Sequence, residues 1–216
     1  MTLGFFTVFR KDPQHFLHAT SLVREARAVM PDVPVIQFTD RTTPEVDGVD
    51  AAIRLGDGPM LERRLEHYAS CGDEWLFLDT DVSIRQDVRH VFDDPVFDVA
   101  LPDRNWPHIP QGDHVMLTMP FNTGVVFTRS GQFWRDVLET WRGLPNRTDW
   151  LSEQQAVYQV VRTGRYRVKV LDGAIYNYPP KNASDPCDGV ALAHYKGGAR
   201  KLWLSALSVK TLSVCR

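Results

Sequence analysis

Asp79 and Asp81 stand one residue apart in EWLFLDTDVSI, directly after the apolar run Trp75–Leu78. Along an extended strand, residues i and i+2 point to the same face, so these two carboxylates can aim at one point. Carboxylates placed together repel unless a cation or a proton lies between them. Hard oxygen ligands favour Mg²⁺ or Mn²⁺, which keep positions open for water and substrate phosphates. A third ligand is available in ALAHYKGGARK, where His194 is followed by Lys196, Gly197, Arg200 and Lys201. Glycine lets a backbone approach a ligand closely, and Lys and Arg pair with phosphate. A cation-binding His beside phosphate-binding cations is what a metal–diphosphate site needs. The acid pair alone also suits a surface turn; the apolar run before it is what places it at a strand terminus.

Those residues need elements to hold them. Gly4–Phe9 reads as a buried strand, and Asp12-Pro13 as a helix start with Pro at the first helical position. Apolar residues at helical spacing follow until Pro31. Strands are expected at Val33–Phe38, Ala51–Leu55 and Trp75–Leu78, with a helix from Gly58-Pro59 to Gly72 between the last two. Strand and helix alternate, which predicts an α/β fold with a mostly parallel sheet and helices on its faces. In such sheets ligands bind outside the carboxyl ends of the strands, where Asp79 and Asp81 fall. Further on, strands are expected at Val96–Leu101, Thr123–Thr128, Arg167–Leu171 and Val190–Tyr195. Helices are expected at Phe133–Trp141 and Ser152–Arg162, with Ser152 as cap and Gly164 as close. Residues 103–120 and 176–190 are polar and rich in Pro and Gly, and read as loops.

The chain has 216 residues, 43% hydrophobic and 24% charged, which suits one soluble domain with a sizeable core. No apolar run is long enough to cross a membrane. MTLGFFTVFRKDP lacks the basic start and cleavage site of a signal peptide. Cys71, Cys187 and Cys215 are odd in number and widely spaced, which fits neither a disulfide framework nor a zinc site. Together these point to a cytoplasmic protein. Residues 161–216 carry 10 Lys+Arg against 3 Asp+Glu, whereas residues 1–160 carry 15 against 24. The basic end could face an anionic substrate or be a solvated surface.

Taken in order, LFLDTDV, PFNTGVVF, SEQQAV and HYKGGARK resemble the motifs of the GT-A fold glycosyltransferases, in particular the retaining galactosyltransferase- and glycogenin-like group, glycosyltransferase family 8. The resemblance spans roughly residues 3–203. It departs at the Asp-Gln pair, here Glu153-Gln154, and at the Lys of H-x-x-G-x-x-K, here Arg200 with Lys201 following. It implies a Rossmann-like GT-A domain over residues 1–216, with 1–82 as the nucleotide-binding lobe and 83–216 as the sugar and acceptor lobe. It further implies transfer of a hexose from a nucleotide-diphosphate sugar, a UDP-sugar first among them, with retention.

The same resemblance assigns residues. Asp79, Asp81 and His194 would hold Mn²⁺ or Mg²⁺, and Asp79 would also touch the ribose. Thr7, at the end of the first strand, would contact the base. Arg63, with Arg64 as its close competitor, would lie near the diphosphate and sugar. Asn122 and Gly124 would shape the sugar pocket. Glu153 and Gln154 would face the anomeric carbon, and Asp103 the sugar or acceptor. Lys196, Gly197, Arg200 and Lys201 would clamp the diphosphate. The acceptor stays open among a glycan, a lipid carrier, a protein and a modified DNA base. A haloacid-dehalogenase-like phosphatase also places Asp-x-Asp after an apolar strand, but on the chain's first strand and with a late acidic pair. A nucleotidyltransferase would want a Gly-rich N-terminal phosphate loop. A third reading is a degenerate module that binds the nucleotide sugar without turnover.

Overall fold

The computed structural model describes residues 1–7, 13–72, 74–104, 119–149 and 151–214. β1 (Thr2–Thr7), β2 (Val35–Thr39), β3 (Ala51–Arg54) and β4 (Trp75–Leu78) form from the apolar, β-branched and aromatic runs of the first third. α1 (Pro13–Val29) connects β1 to β2, and α2 (Met60–Ser70) connects β3 to β4. The second half adds β5 (Val82–Ile84), β6 (Val99–Pro102), β7 (Val125–Thr128), α3 (Gly131–Arg142), α4 (Ser152–Val161), β8 (Val168–Leu171), α5 (Gly173–Tyr176), β9 (Leu192–His194) and α6 (Gly198–Val214). A 3₁₀ turn occupies Arg89–Asp93.

Seven strands make one sheet in the order β3-β2-β1-β4-β7-β6-β8. All run the same way except β7, which is antiparallel to both β4 and β6. The predicted mixed α/β architecture is therefore present, with one reversed strand. Because side chains alternate across a strand, β4 serves both faces. Leu76 and Leu78 join Leu3, Phe5, Leu22 and Val125 under α1. Phe77 joins Tyr68, Phe133, Trp134 and Val137 under α2 and α3. Each such side chain, fully buried, contributes roughly 1.5–3 kcal/mol. Trp134 and Trp141 belong to this core, and their indole N–H groups donate to Thr128 Oγ1 and Ser152 Oγ at 2.9 and 2.8 Å. Trp106 lies outside the described residues.

Two local expectations are corrected. Ser152 does not cap α4: its hydroxyl is engaged by Trp141 and by the Arg147 carbonyl, and Leu151 occupies the cap position without a side-chain bond. β4 does not continue into the acid pair: Val82 N–H donates to Asp79 O at 3.1 Å, so the chain turns there. Residues 173–176 form a short helix whose start is capped by Asp172. After Gly197-Gly198 the chain enters α6. Asp12, the expected cap of α1, lies outside the described residues.

β5 and β9 form a separate two-stranded sheet in which Val82 pairs with His194 and Ile84 with Leu192. This small sheet is anchored to the main body by Glu25 of α1, whose carboxylate accepts from Ile84 N–H at 2.8 Å and from Ser21 Oγ at 3.3 Å. Burial pushes the Glu25 carboxyl up despite those bonds. Among the described residues no helix is long and apolar enough to cross a membrane. Replacing Glu25 by Ala leaves the Ile84 N–H buried without its acceptor, and is expected to cost about 1–3 kcal/mol. Chemical denaturation of the purified variant measures it; an unchanged midpoint would show that β5 needs no such anchor.

Candidate active site

The reversed strand decides where the site lies. Thr7, Asp79 and Asp103-Arg104 follow the carboxyl ends of β1, β4 and β6. Because β7 runs the other way, its amino end reaches the same edge and brings Asn122, Thr123 and Gly124 with it. A cavity of about 680 Å³ opens at this edge. Thr7, Asp79, Asp81, Asn122, Glu153, Gln154, His194, Lys196, Gly197 and Lys201 line it, as do Arg64 and Arg104. Most of the residues singled out from sequence thus meet in one place.

The acids converge through the turn after β4. Asp79 N–H donates to Gly124 O at 2.8 Å, and Tyr195 N–H donates to Asp81 O at 2.8 Å. His194, at the end of β9, places Nε2 3.2 Å from Asp81 Oδ1 and 3.8 Å from Asp79 Oδ2. One ligand atom from each of Asp79, Asp81 and His194 lies within 4.8 Å of the others. Two carboxylate oxygens and one imidazole nitrogen are a donor set that could hold a divalent metal ion. The space between them is kept by Gly124: a Cβ there would lie 2.2 Å from His194 Cε1 and 2.7 Å from Asp79 Oδ2. Lys201 Nζ stands 3.2 Å from Asp81 Oδ2, so a side-chain cation already sits beside the group. Burial would push the Asp81 carboxyl up, but His194 and Lys201 together hold it well below the usual carboxylate range.

Arg64 joins the acid pair to the opposite wall. It donates to Asp79 Oδ1 at 2.9 Å and to Thr123 O at 2.7 Å, and lies 3.5 Å from Glu153 Oε1. Burial opposes its charge, but Glu153, Tyr68 and Asp79 outweigh it and raise its pKa well above the ordinary value. Glu153, also buried, is raised by desolvation more than Arg64 lowers it. Of the two basic residues weighed from sequence, Arg64 lines the cavity and Arg63 does not. One helical residue is a rotation of about 100°, and α2 buries Arg64, Leu65 and Tyr68 while Arg63 pairs with Glu66 at 2.5 Å on the other side.

The remaining residues divide. Arg104 donates from Nη2 to Gln154 Oε1 and from Nε to Phe121 O. Lys196 lies deep enough that burial, with Arg104 nearby, lowers its pKa well below the ordinary value. Gly197 adopts φ +87°, a left-handed turn that glycine takes without penalty. Besides Arg63 and Gly124, two further expected residues do not line the cavity. Asp103 Oδ1 accepts from Gly173 N–H at 3.0 Å and fastens β6 to α5. Arg200 donates to Pro180 O and Lys196 O, bracing the loop that carries Lys196. Arg104 was not singled out from sequence, although its place one residue past Pro102-Asp103 at a strand's carboxyl end was the available signal.

No protein-family model matches the chain, and no curated protein does. Solved structures do. A glycosyltransferase involved in the glycosylation of the major capsid of PBCV-1 is 17% identical, with a TM-score of 0.63 over 97% of this chain and 100% of that one. The galactosyltransferase LgtC, solved with donor and acceptor sugar analogues, is 14% identical, with a TM-score of 0.61 over 99% and 96%. GlyE of Streptococcus pneumoniae TIGR4 is 14% identical, with a TM-score of 0.65 over 99% of this chain and 63% of that one. The fold is the GT-A fold of these glycosyltransferases. The seven-stranded order, the reversed strand and the acid pair after β4 are how this chain builds that GT-A scaffold.

Two substitutions test the cation site. Gly124→Ala fills it with a methyl group and is expected to abolish Mn²⁺ binding measured by titration calorimetry, with the protein still folded by circular dichroism. Lys201→Met removes the neighbouring cation and is expected to tighten Mn²⁺ binding in the absence of nucleotide by about fivefold, the worth of a partly exposed ion pair. Weaker binding in Lys201→Met would show that the lysine does not compete with the cation.

Proposed function

We propose that this protein is a metal-dependent glycosyltransferase that moves a hexose from a nucleotide-diphosphate sugar, a UDP-sugar first among them, to an acceptor hydroxyl with retention of configuration. The observation that carries the reading is the meeting of Asp79, Asp81 and His194 with Arg64, Glu153, Gln154, Lys196 and Lys201 around one cavity, on a scaffold shared with a galactosyltransferase solved with donor and acceptor sugar analogues. Thr7 receives the base and Asp79 the ribose. Asp79, Asp81 and His194 would hold Mn²⁺ or Mg²⁺, which supplies Lewis-acid stabilisation of the departing diphosphate. Lys196, Lys201 and the Gly197 backbone face the phosphates, braced by Arg200.

The sugar lies towards Asn122, Gly124, Glu153 and Gln154, with Asp103 supporting the wall through α5. As the bond to the anomeric carbon lengthens, the ring gains oxocarbenium character, as in glycoside hydrolysis. Glu153 and the Gln154 amide present oxygen to that developing charge, and Arg64 and Arg104 keep the two side chains in place. Burial makes each of these charges act strongly. Glu153 and Gln154 would lie next to the anomeric carbon, and among the described residues no carboxylate besides Asp79, Asp81 and Glu153 lines the cavity to activate an acceptor, which favours retention.

Incubation with a panel of UDP-sugars and Mn²⁺, following UDP release with and without acceptor, tests the reading. Asp81→Ala is expected to lose turnover by about a thousandfold, the several kcal/mol that Lewis-acid stabilisation supplies, while staying folded. Cleavage of phosphomonoesters with no sugar transfer would instead make the acid pair that of a phosphatase, and nucleotide-sugar binding without turnover would leave a binding module. Arg104→Met is expected to lower kcat by about 10–100-fold, since it frees Gln154, and to change donor KM as well, because Arg104 stands near Lys196 of the diphosphate wall.

A further inference from the structure

His194 uses only one ring nitrogen towards the carboxylates. The other, Nδ1, lies 2.7 Å from Asn177 Oδ1. Both residues are almost wholly buried, His194 at 2% exposure and Asn177 at 0%. Asn177 closes α5, and its own N–H returns to Gly173 O at 3.2 Å. The next residue is tied to β9 in both directions: Tyr178 N–H donates to Leu192 O at 3.0 Å, and His194 N–H donates to Tyr178 O at 2.8 Å. The amide is therefore held in register with the imidazole by the backbone on both sides.

The chemistry of that contact has one sense. An amide oxygen only accepts, so Nδ1 must carry the ring proton. Nε2, the atom that faces Asp79 and Asp81, is then the nitrogen left to a cation. The amide is kept at a cost, because Asn177 Nδ2 is buried and meets no acceptor. An apolar residue of the same size would avoid that unmet donor. Its presence is accounted for if the oxygen end is what the position requires.

We propose that Asn177 is the positioning residue for the cation site: it fixes the tautomer and orientation of His194 so that Nε2 is always the ligand atom. The inference rests on the proposed metal-dependent reading of Asp79, Asp81 and His194. Outer partners of this kind typically alter metal affinity by about 10–100-fold when removed.

Mn²⁺ binding is measured by electron paramagnetic resonance of the free ion, without nucleotide, in the wild type, Asn177→Leu and Asn177→Asp, with melting temperature recorded for each. Asn177→Leu, which keeps the volume and loses the acceptor, is expected to bind about 10–100-fold more weakly. Asn177→Asp, which keeps the acceptor, is expected to match or exceed the wild type. Equal affinity in Asn177→Leu and the wild type overturns the positioning role and leaves the glycosyltransferase reading intact. A wild type that binds no Mn²⁺ overturns the cation site itself. Nitrogen-15 NMR of His194 in the metal-free wild type gives an answer that needs no variant. A proton on Nδ1 is expected, and an Nδ1 without a proton overturns the proposal.

Discussion

Three residues of β5 pairing with three of β9 hold this site together. Val82 lies opposite His194, and the turn from Asp79 to Val82 leads directly into that pairing. The carboxylates and the imidazole come from opposite ends of the chain, yet their separation is set by one antiparallel register. A slip of one residue would turn the ring to the other face. The main sheet does not enforce this register. Glu25 on one side and the Tyr178 backbone on the other do, which makes a minor sheet the reference from which the cation-binding geometry is measured.

Around that register, charge is balanced by burial rather than by solvent. Arg64 answers Asp79 and Glu153; Lys201 answers Asp81; Arg104 answers the oxygen of Gln154. Taken singly, each buried ion would cost several kcal/mol. Interlocked, they form a network whose members hold one another in ionised or fixed states before any ligand arrives. Such preorganisation avoids reordering dipoles during reaction, which is the main way a polar cavity lowers a barrier. The hydrophobic sheet beneath supplies the rigidity, since β4 is locked between two cores.

Much of this was legible in the sequence, and what was not has physical causes. Trp75–Leu78 announced β4 because an apolar run ending in acids has few other uses. Gly124 and His194–Lys201 were visible because their motifs are local. The choice between Arg63 and Arg64 turns on rotational phase, and the apolar stripe of α2, Leu61, Leu65 and Tyr68, carries the signal for Arg64 that the motif alone does not. Asn177 was invisible, and Arg104 was marked only by its place past a strand's carboxyl end, for a different reason. Each lies in a polar stretch where one residue type carries no periodicity, and each acts through a partner distant in sequence, Gln154 and His194. Ser152 misled because its composition signals a cap, whereas the Trp141 indole competes for the same hydroxyl.

The reversed direction of β7 carries an evolutionary corollary. Since β6 and β7 are antiparallel neighbours, the connection between them leaves and rejoins the sheet at the same edge, the one that bears the cavity. Its base is clasped by the bridge between Asp103 and Phe121. A connection of that kind can lengthen or shorten at a free-energy cost that grows only with the logarithm of its length. The crossovers from β1 to β2 and from β3 to β4 lack that latitude, because each returns through a helix, α1 or α2. The scaffold thus offers one segment whose size can change from one descendant to the next while the cation site stays where it is.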